Sequence, residues 1–262
     1  MTETLAHRRP LGRIVRGNGP GLVLAHGGGG GAELNWGTFI PALAERHTVI
    51  APDFPGSGRT PLEPGPLRLD DLADRLVATA VEEGRESFDL VGFSLGATIS
   101  VRAARRHPER VRSLTLVAGL AHTTPHLRLV TDTLLTARGF DPLHQARLAI
   151  PLLLSPEWIN TQPEEDLAAL AKLMAATTPP GFHRQFELVT EVDVRPDLPH
   201  LSVPTLVVSP TADALIDPAQ HRALAEGIPG AELLELRSGH LVPTERRTEL
   251  LAALRAFLAR LD

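Results

Sequence analysis

The chain has 262 residues, 43% of them hydrophobic, enough for one substantial core, and α/β folds of this length form a single domain. It contains no cysteine, which excludes disulfides, thiolate metal sites and a cysteine nucleophile. Tyrosine is absent, aromatic residues make up 4%, and 26 basic residues face 31 acidic ones for a net charge of −5, so neither nucleic acid nor an anionic membrane surface is an expected partner.

No window approaches the roughly 20 apolar residues of a membrane span, and the opening MTETLAHRRPLGRIVRG lacks the apolar stretch of a signal peptide, so a cytoplasmic location is expected. Along the chain, short apolar runs alternate with segments of helical period, the pattern of parallel βαβ units. The runs at 22–26, 48–52, 88–93, 111–118 and 205–210 read as strands, apolar without alternation because both faces are buried. Between them, 70–83 places Leu72, Ala73, Leu76, Val77 and Ala80 on one face of a helix; 95–106 and 244–260 also have helical period. The predicted fold is α/β, a mostly parallel central sheet flanked by helices.

From about 121 to 195 no strand is expected. Helical segments follow each other, punctuated by Pro125, Pro142, Pro151, Pro156, Pro163 and Pro179-Pro180. Ser155 before Pro156 and Thr161 before Pro163 resemble helix starts. The apolar runs 148–154 and 167–176 carry more hydrophobic surface than free-standing helices need. This insert is expected to pack over the strand ends as a lid, dividing the chain into a core of 1–120 and 196–262 and a lid of 121–195.

The strand ending at Phe93 leads directly into Ser94 and a helix within Gly92-Phe93-Ser94-Leu95-Gly96. This GxSxG pattern exposes a serine hydroxyl on a sharp strand-to-helix turn, with glycines where side chains would clash. A serine nucleophile needs a histidine base, and the histidine needs a carboxylate to fix its tautomer. His240, after the apolar run 233–236, is the expected base. His107 suits a helix-terminal cation, and His47 belongs to a helix-to-strand connection on another edge. Asp213, beyond the strand at 205–210, is the expected acid, whereas Asp217 before Pro218 suits an N-cap. The run Gly27 to Gly31 lacks the lysine and serine or threonine of a P-loop; backbone N–H groups at Gly28 and Leu95 fit an oxyanion hole instead.

The order Ser94, Asp213, His240, with the glycine loop upstream, resembles the α/β-hydrolase fold family over almost the whole chain. Asp53-Phe54-Pro55-Gly56-Ser57-Gly58 is similar to that family's loop after the next strand, and His107-Pro108-Glu109-Arg110-Val111 to its entry into the strand after the nucleophile helix. The stretch 182–205 resembles the lidded branch with enol-lactonases, cofactor-free haloperoxidase-like esterases and meta-cleavage carbon–carbon hydrolases. Serine at 94 departs from the aspartate of epoxide hydrolases and haloalkane dehalogenases in that branch.

The resemblance implies a serine hydrolase acting through an acyl-enzyme on an ester, thioester or lactone of a small, largely apolar molecule, with no metal or organic cofactor. A carbon–carbon hydrolase or lyase, a tailoring cyclase and a non-catalytic ligand-binding protein remain as alternatives. Trp36, Phe93 and His122 are candidate substrate contacts; His126, His144, His183 and Trp158 are further candidates that also fit surface or packing roles.

Overall fold

The computed structural model describes residues 9–137 and 141–261. The first eight residues, part of the opening read above, lie outside them. Seven strands, β1 (Arg13–Arg16), β2 (Gly21–Ala25), β3 (Thr48–Pro52), β4 (Phe88–Phe93), β5 (Val111–Val117), β6 (Thr205–Pro210) and β7 (Glu232–Leu236), form one sheet in the order β1-β3-β2-β4-β5-β6-β7. All neighbours pair in parallel except β1, which runs antiparallel to β3 with Ile14 opposite Ala51 and Val15 opposite Ile50.

The helices are α1 (Ala32–Trp36), α2 (Ile40–Leu43), α3 (Leu69–Glu82), α4 (Leu95–Arg106), α5 (Pro125–Thr136), α6 (Pro142–Leu153), α7 (Pro156–Ile159), α8 (Glu164–Thr177), α9 (Phe182–Val189), α10 (Pro218–Gly227), α11 (Val242–Glu245) and α12 (Arg247–Leu258). Successive side chains of a strand point to opposite faces, so the central strands feed two cores. Val23, Leu90 and Leu114 join Leu72, Leu76, Ile99 and Leu224 from α3, α4 and α10 on one face. Leu22, Leu24, Val91 and Val208 join Trp36, Phe39, Leu250 and Leu254 from α1, the turn before α2, and α12 on the other.

Between β5 and β6 the described residues hold helices α5 to α9 and one isolated bridge, His122 to Asp193, which fastens the two ends of the segment together. Ala146, Ile150, Leu154 and Ala171 give α6 and α8 a small core of their own. Ser155 caps α7 as its sequence suggests, accepting from the Trp158 N–H at 3.1 Å. Thr161 does not start a helix: its hydroxyl turns back to the Trp158 carbonyl, and α8 begins after Pro163.

Two further differences from the sequence reading have local causes. β1 passes unnoticed as RIVR, two apolar residues between arginines, because an edge strand needs only a half-buried face. The expected helix at 244–260 is instead α11 and α12, broken at Arg246 (φ −130°), where Glu245 turns inward and the Arg246 guanidinium donates to the Arg237 carbonyl. Among the described residues no helix is long and apolar enough to cross a membrane.

Candidate active site

The carboxyl ends of the parallel strands deliver the functional loops, as open α/β sheets require. Ser94 follows β4 at φ 54°, ψ −121°, a left-handed region that costs a serine on the order of 1–3 kcal/mol and persists only under constraint from its surroundings. The constraint is visible in the flanking glycines. A Cβ on Gly92 would lie 2.5 Å from the Ala97 Cα, and one on Gly96 2.4 Å from the Ala25 carbonyl oxygen, so only glycine lets α4 start this close to β2 and β4.

The Ser94 hydroxyl lies 3.0 Å from His240 Nε2, and His240 Nδ1 lies 2.7 Å from Asp213 Oδ2. The three side chains come from loops after β4, β6 and β7, and all are buried. Asp213 Oδ1 accepts the N–H groups of Leu215 and Ile216 at 2.9 and 2.8 Å, which orients the carboxylate and leaves Oδ2 to face the imidazole. With Nδ1 donating to this carboxylate, Nε2 is the acceptor for the Ser94 proton. Asp217 caps α10 by accepting from the Ala219 N–H, so the two neighbouring acids divide as their sequence contexts suggest.

Gly28 sits against Leu95: a Cβ at Gly28 would be 3.6 Å from the Leu95 side chain. Neighbouring loop amides are engaged, Gly27 N–H with Asn35 Oδ1, Gly29 N–H with Gln185 Oε1 and Gly30 N–H with the Gly27 carbonyl. Among the described residues the N–H groups of Gly28 and Leu95 take no acceptor. The preceding His26 is part of this scaffold. Its Nδ1 meets the Gly27 carbonyl, its Nε2 accepts from the Phe54 N–H, and burial pushes its pKa well below the usual histidine range. Asp53, in the loop after β3, is architectural, accepting from the N–H groups of Ala32 and Arg59.

Ser94 and His240 open onto a cavity of about 350 Å³ beneath helices α5, α6, α8 and α9. Leu127, Leu134, Leu170, Met174, Phe182 and Phe186 form much of its wall, and among the described residues no aspartate, glutamate, lysine or arginine lines it. Phe93 lines the cavity. Trp36 and His122 do not. Trp36 is buried on the other side of the sheet against Phe39 and the edge of Phe93, with ring centroids 5.7 and 6.5 Å apart, because its place on α1 faces the core. His122 is held away by the bridge to Asp193 and by its N–H bond to Gln220.

His126 and His144 are exposed, His183 pairs with Glu187, and Trp158 packs on the α6–α8 cluster, so none of these lines the cavity. His107 meets Asp74 at the end of α4, in the helix-terminal place its sequence suits, and His47 bonds the Leu43 carbonyl.

Sequence reasoning missed two polar residues beside the site, Gln185 and Glu245. Gln185 was findable: on α9 it shares a stripe of i, i+3, i+4, i+7 spacing with Phe182, Phe186 and Val189, where an amide is out of place unless it is bonded.

Residues 20–246 match the α/β hydrolase fold family. The chain is 33% identical over 254 residues to a pyrrolizixenacetamide deacetylase of Xenorhabdus hominickii, an alignment covering 95% of this chain and 94% of the relative. It is 30% identical over 251 residues to the pimeloyl-(acyl-carrier protein) methyl ester esterase of Aeromonas hydrophila, covering 87% and 90%. The crystal structure of the enol-lactonase from Burkholderia xenovorans LB400 superimposes with a TM-score of 0.84 at 25% identity, covering 95% of this chain and 96% of that one. With matching topology, a strained serine turn in place and relatives that align nearly end to end, the chain belongs to the α/β-hydrolase fold family and is a hydrolase.

Proposed function

We propose that the chain cleaves an ester, thioester, lactone or related acyl bond of a small, apolar substrate through an acyl-enzyme on Ser94. The reading is carried by one observation, the unbroken line from Ser94 Oγ through His240 to Asp213 opening onto a cavity lined mostly by apolar side chains.

Ser94 Oγ attacks the carbonyl carbon as its proton passes to His240 Nε2, and the oxygen charge that develops is met by the N–H groups of Gly28 and Leu95. The protonated His240 is stabilised by Asp213 and returns its proton to the leaving group. A water then enters, gives a proton to His240 and releases the acid from Ser94. The deacetylase relative brings an N-acyl bond within the range of leaving groups, since the same serine chemistry serves amides.

In this reading residues 121–195 act as a lid on a core of 1–120 and 196–262, and the lid supplies most of the surface that selects the acyl group. Its described walls are mostly methyl and aromatic groups, with the Gln145 amide and the Thr177 and Thr178 hydroxyls among them and no side-chain charge, so selection rests mainly on shape and apolar burial.

The test is the wild-type chain and Ser94→Ala assayed side by side on p-nitrophenyl acetate, butyrate and octanoate, with a fluorophosphonate probe and intact mass. A single adduct on the parent and the loss of at least ~10³-fold of turnover in Ser94→Ala are expected. Full activity in Ser94→Ala would refute the assignment.

A further inference from the structure

Gln185, on α9 more than a hundred residues from the glycine loop in sequence, is completely buried and uses its whole amide. Its Oε1 accepts the Gly29 N–H at 2.8 Å. Its Nε2 donates to the Pro55 carbonyl at 3.2 Å and to Ser57 Oγ at 3.0 Å. Ser57 Oγ in turn donates to the Gly30 carbonyl at 2.7 Å. One side chain from the helical segment therefore grips the Gly28–Gly31 loop directly at Gly29 and again, through Ser57, at Gly30.

The position of these bonds matters more than their number. Gly29 sits at φ +72°, a region glycine enters without steric cost, so nothing intrinsic to the residue holds its peptide plane. A Cβ at Gly29 would lie 2.8 Å from Phe182, which leaves no room for a stiffer residue there. On one side of Gly28, Asn35 Oδ1 fixes the Gly27 N–H; on the other, Gln185 fixes the Gly29 N–H. Gly28, which lines the cavity, lies between these two anchors, and its own N–H takes no acceptor among the described residues. A run of five glycines has large conformational freedom, and an amide that must meet charge in a transition state loses effect once it wanders.

Resting on the acyl-transfer reading above, we propose that Gln185 is a positioning residue for the oxyanion hole. It touches neither substrate nor Ser94 and acts by holding the Gly28–Gly29 peptide, which meets at the Gly28 Cα the Gly27–Gly28 peptide that carries the Gly28 N–H. On this account the helical segment contributes to the chemical step as well as to substrate selection. Asn35 anchors one side of Gly28 from the core, and Gln185 anchors the other from α9. The Gly27 carbonyl stays held by His26 Nδ1 and the Gly30 N–H, so cutting the second anchor loosens the loop on the carboxyl side of Gly28 and displaces its N–H, while the Ser94–His240–Asp213 line stays intact.

The experiment uses the whole chain with Gln185→Met, which keeps the side-chain volume and removes every hydrogen bond, and Ser57→Ala, which removes only the second grip. Active sites are titrated with a fluorophosphonate so that rates refer to folded enzyme. Each variant is measured for kcat and KM on one p-nitrophenyl ester. Each is also measured for affinity toward a trifluoromethyl ketone, whose serine adduct carries an oxyanion, and toward the matching methyl ketone, which binds as a ground state.

The expected result for Gln185→Met is a fall in kcat of about 10- to 100-fold, less than the 10²–10³-fold of a deleted oxyanion donor, with KM changed by less than about threefold. Trifluoromethyl ketone affinity should fall in step with kcat/KM while methyl ketone affinity holds, and Ser57→Ala should move the same way by less. If Gln185→Met does not fold, Ser57→Ala alone decides. Turnover per titrated site within about twofold of the parent, or equal losses for both ketones, would overturn the proposal. Failure of the underlying reading is separately visible as full activity in Ser94→Ala.

Discussion

Ser155 donates twice to Glu245, from its N–H to Oε1 at 2.7 Å and from its hydroxyl to Oε2 at 2.6 Å. Glu245 Oε1 also accepts the Gly239 N–H at 3.1 Å, one residue before His240. A Cβ at Gly239 would lie 2.4 Å from the Ser155 nitrogen, so the histidine loop and the start of α7 are in direct contact. The Leu241 N–H adds a bond to the Leu153 carbonyl at 2.9 Å. Both ends of His240's loop are thus sewn to the helical segment, and the buried carboxylate is the knot.

Glu245→Gln should therefore cost more than a surface change. The amide oxygen can keep the two N–H groups of Ser155 and Gly239, but the new NH₂ then meets the Ser155 hydroxyl that donated to Oε2, and all three bonds lose the carboxylate charge, each charge-assisted bond being worth on the order of 1.5–3 kcal/mol. A stability loss of about 3 kcal/mol is expected, read by urea unfolding, with a fall in kcat as His240 loosens. A variant as stable as the parent would show that the carboxylate is dispensable.

Asp213→Asn preserves the fold, because the remaining oxygen can still accept the N–H groups of Leu215 and Ile216. The new NH₂ faces His240 Nδ1 and forces the tautomer with Nε2 protonated, which cannot accept the Ser94 proton. Turnover should fall on the order of 10⁴-fold with an unchanged melting temperature. Activity within tenfold of the parent would remove Asp213 from the line.

His221, on α10, is fully buried with Nε2 3.6 Å from Asp213 Oδ2 and Nδ1 3.2 Å from Ser209 Oγ. Burial lowers its pKa from 6.5 to about 4, outweighing the nearby carboxylate. The unfolded chain therefore binds a proton near pH 6.5 that the folded chain refuses until about pH 4. Stability is unaffected by this residue above about pH 7, declines as pH falls from 6.5, and levels off below about 4. His26 acts in the same direction. Unfolding midpoints measured from pH 8 to pH 4 should show this slope, and His221→Gln should flatten it; an unchanged slope in the variant would exclude His221 as a source.

Ala149 lies on the cavity wall on α6. Ala149→Phe fills space that a longer acyl chain would use, so activity on p-nitrophenyl octanoate should drop about tenfold or more relative to acetate, the order expected for a few lost apolar contacts. An equal effect on both esters would place the acyl group elsewhere.

The strands and the Ser94–Asp213–His240 order were legible because each rests on a local pattern: an unbroken apolar run, glycines bracketing a serine, a polar residue just past a strand. β1 was illegible because its partner β3 supplies what its own four residues lack. Trp36 and His122 misled because residue type says what a side chain could touch, whereas the element's orientation says what it does touch. Gln185 and Glu245 act on loops far away in sequence, Gln185 on Gly29 and Glu245 on Ser155, and no motif records such a pairing.

The stitching of Leu153 and Ser155 to Leu241 and Glu245 also limits recombination. A segment cut at 121 and 195 and grafted from another family member arrives without its carboxylate, which lives in α11 of the host. Chimeras that exchange the segment alone should leave a buried acceptor facing strangers. Those that carry position 245 along with 153–155 transfer the join intact, so the unit of exchange is discontinuous in sequence.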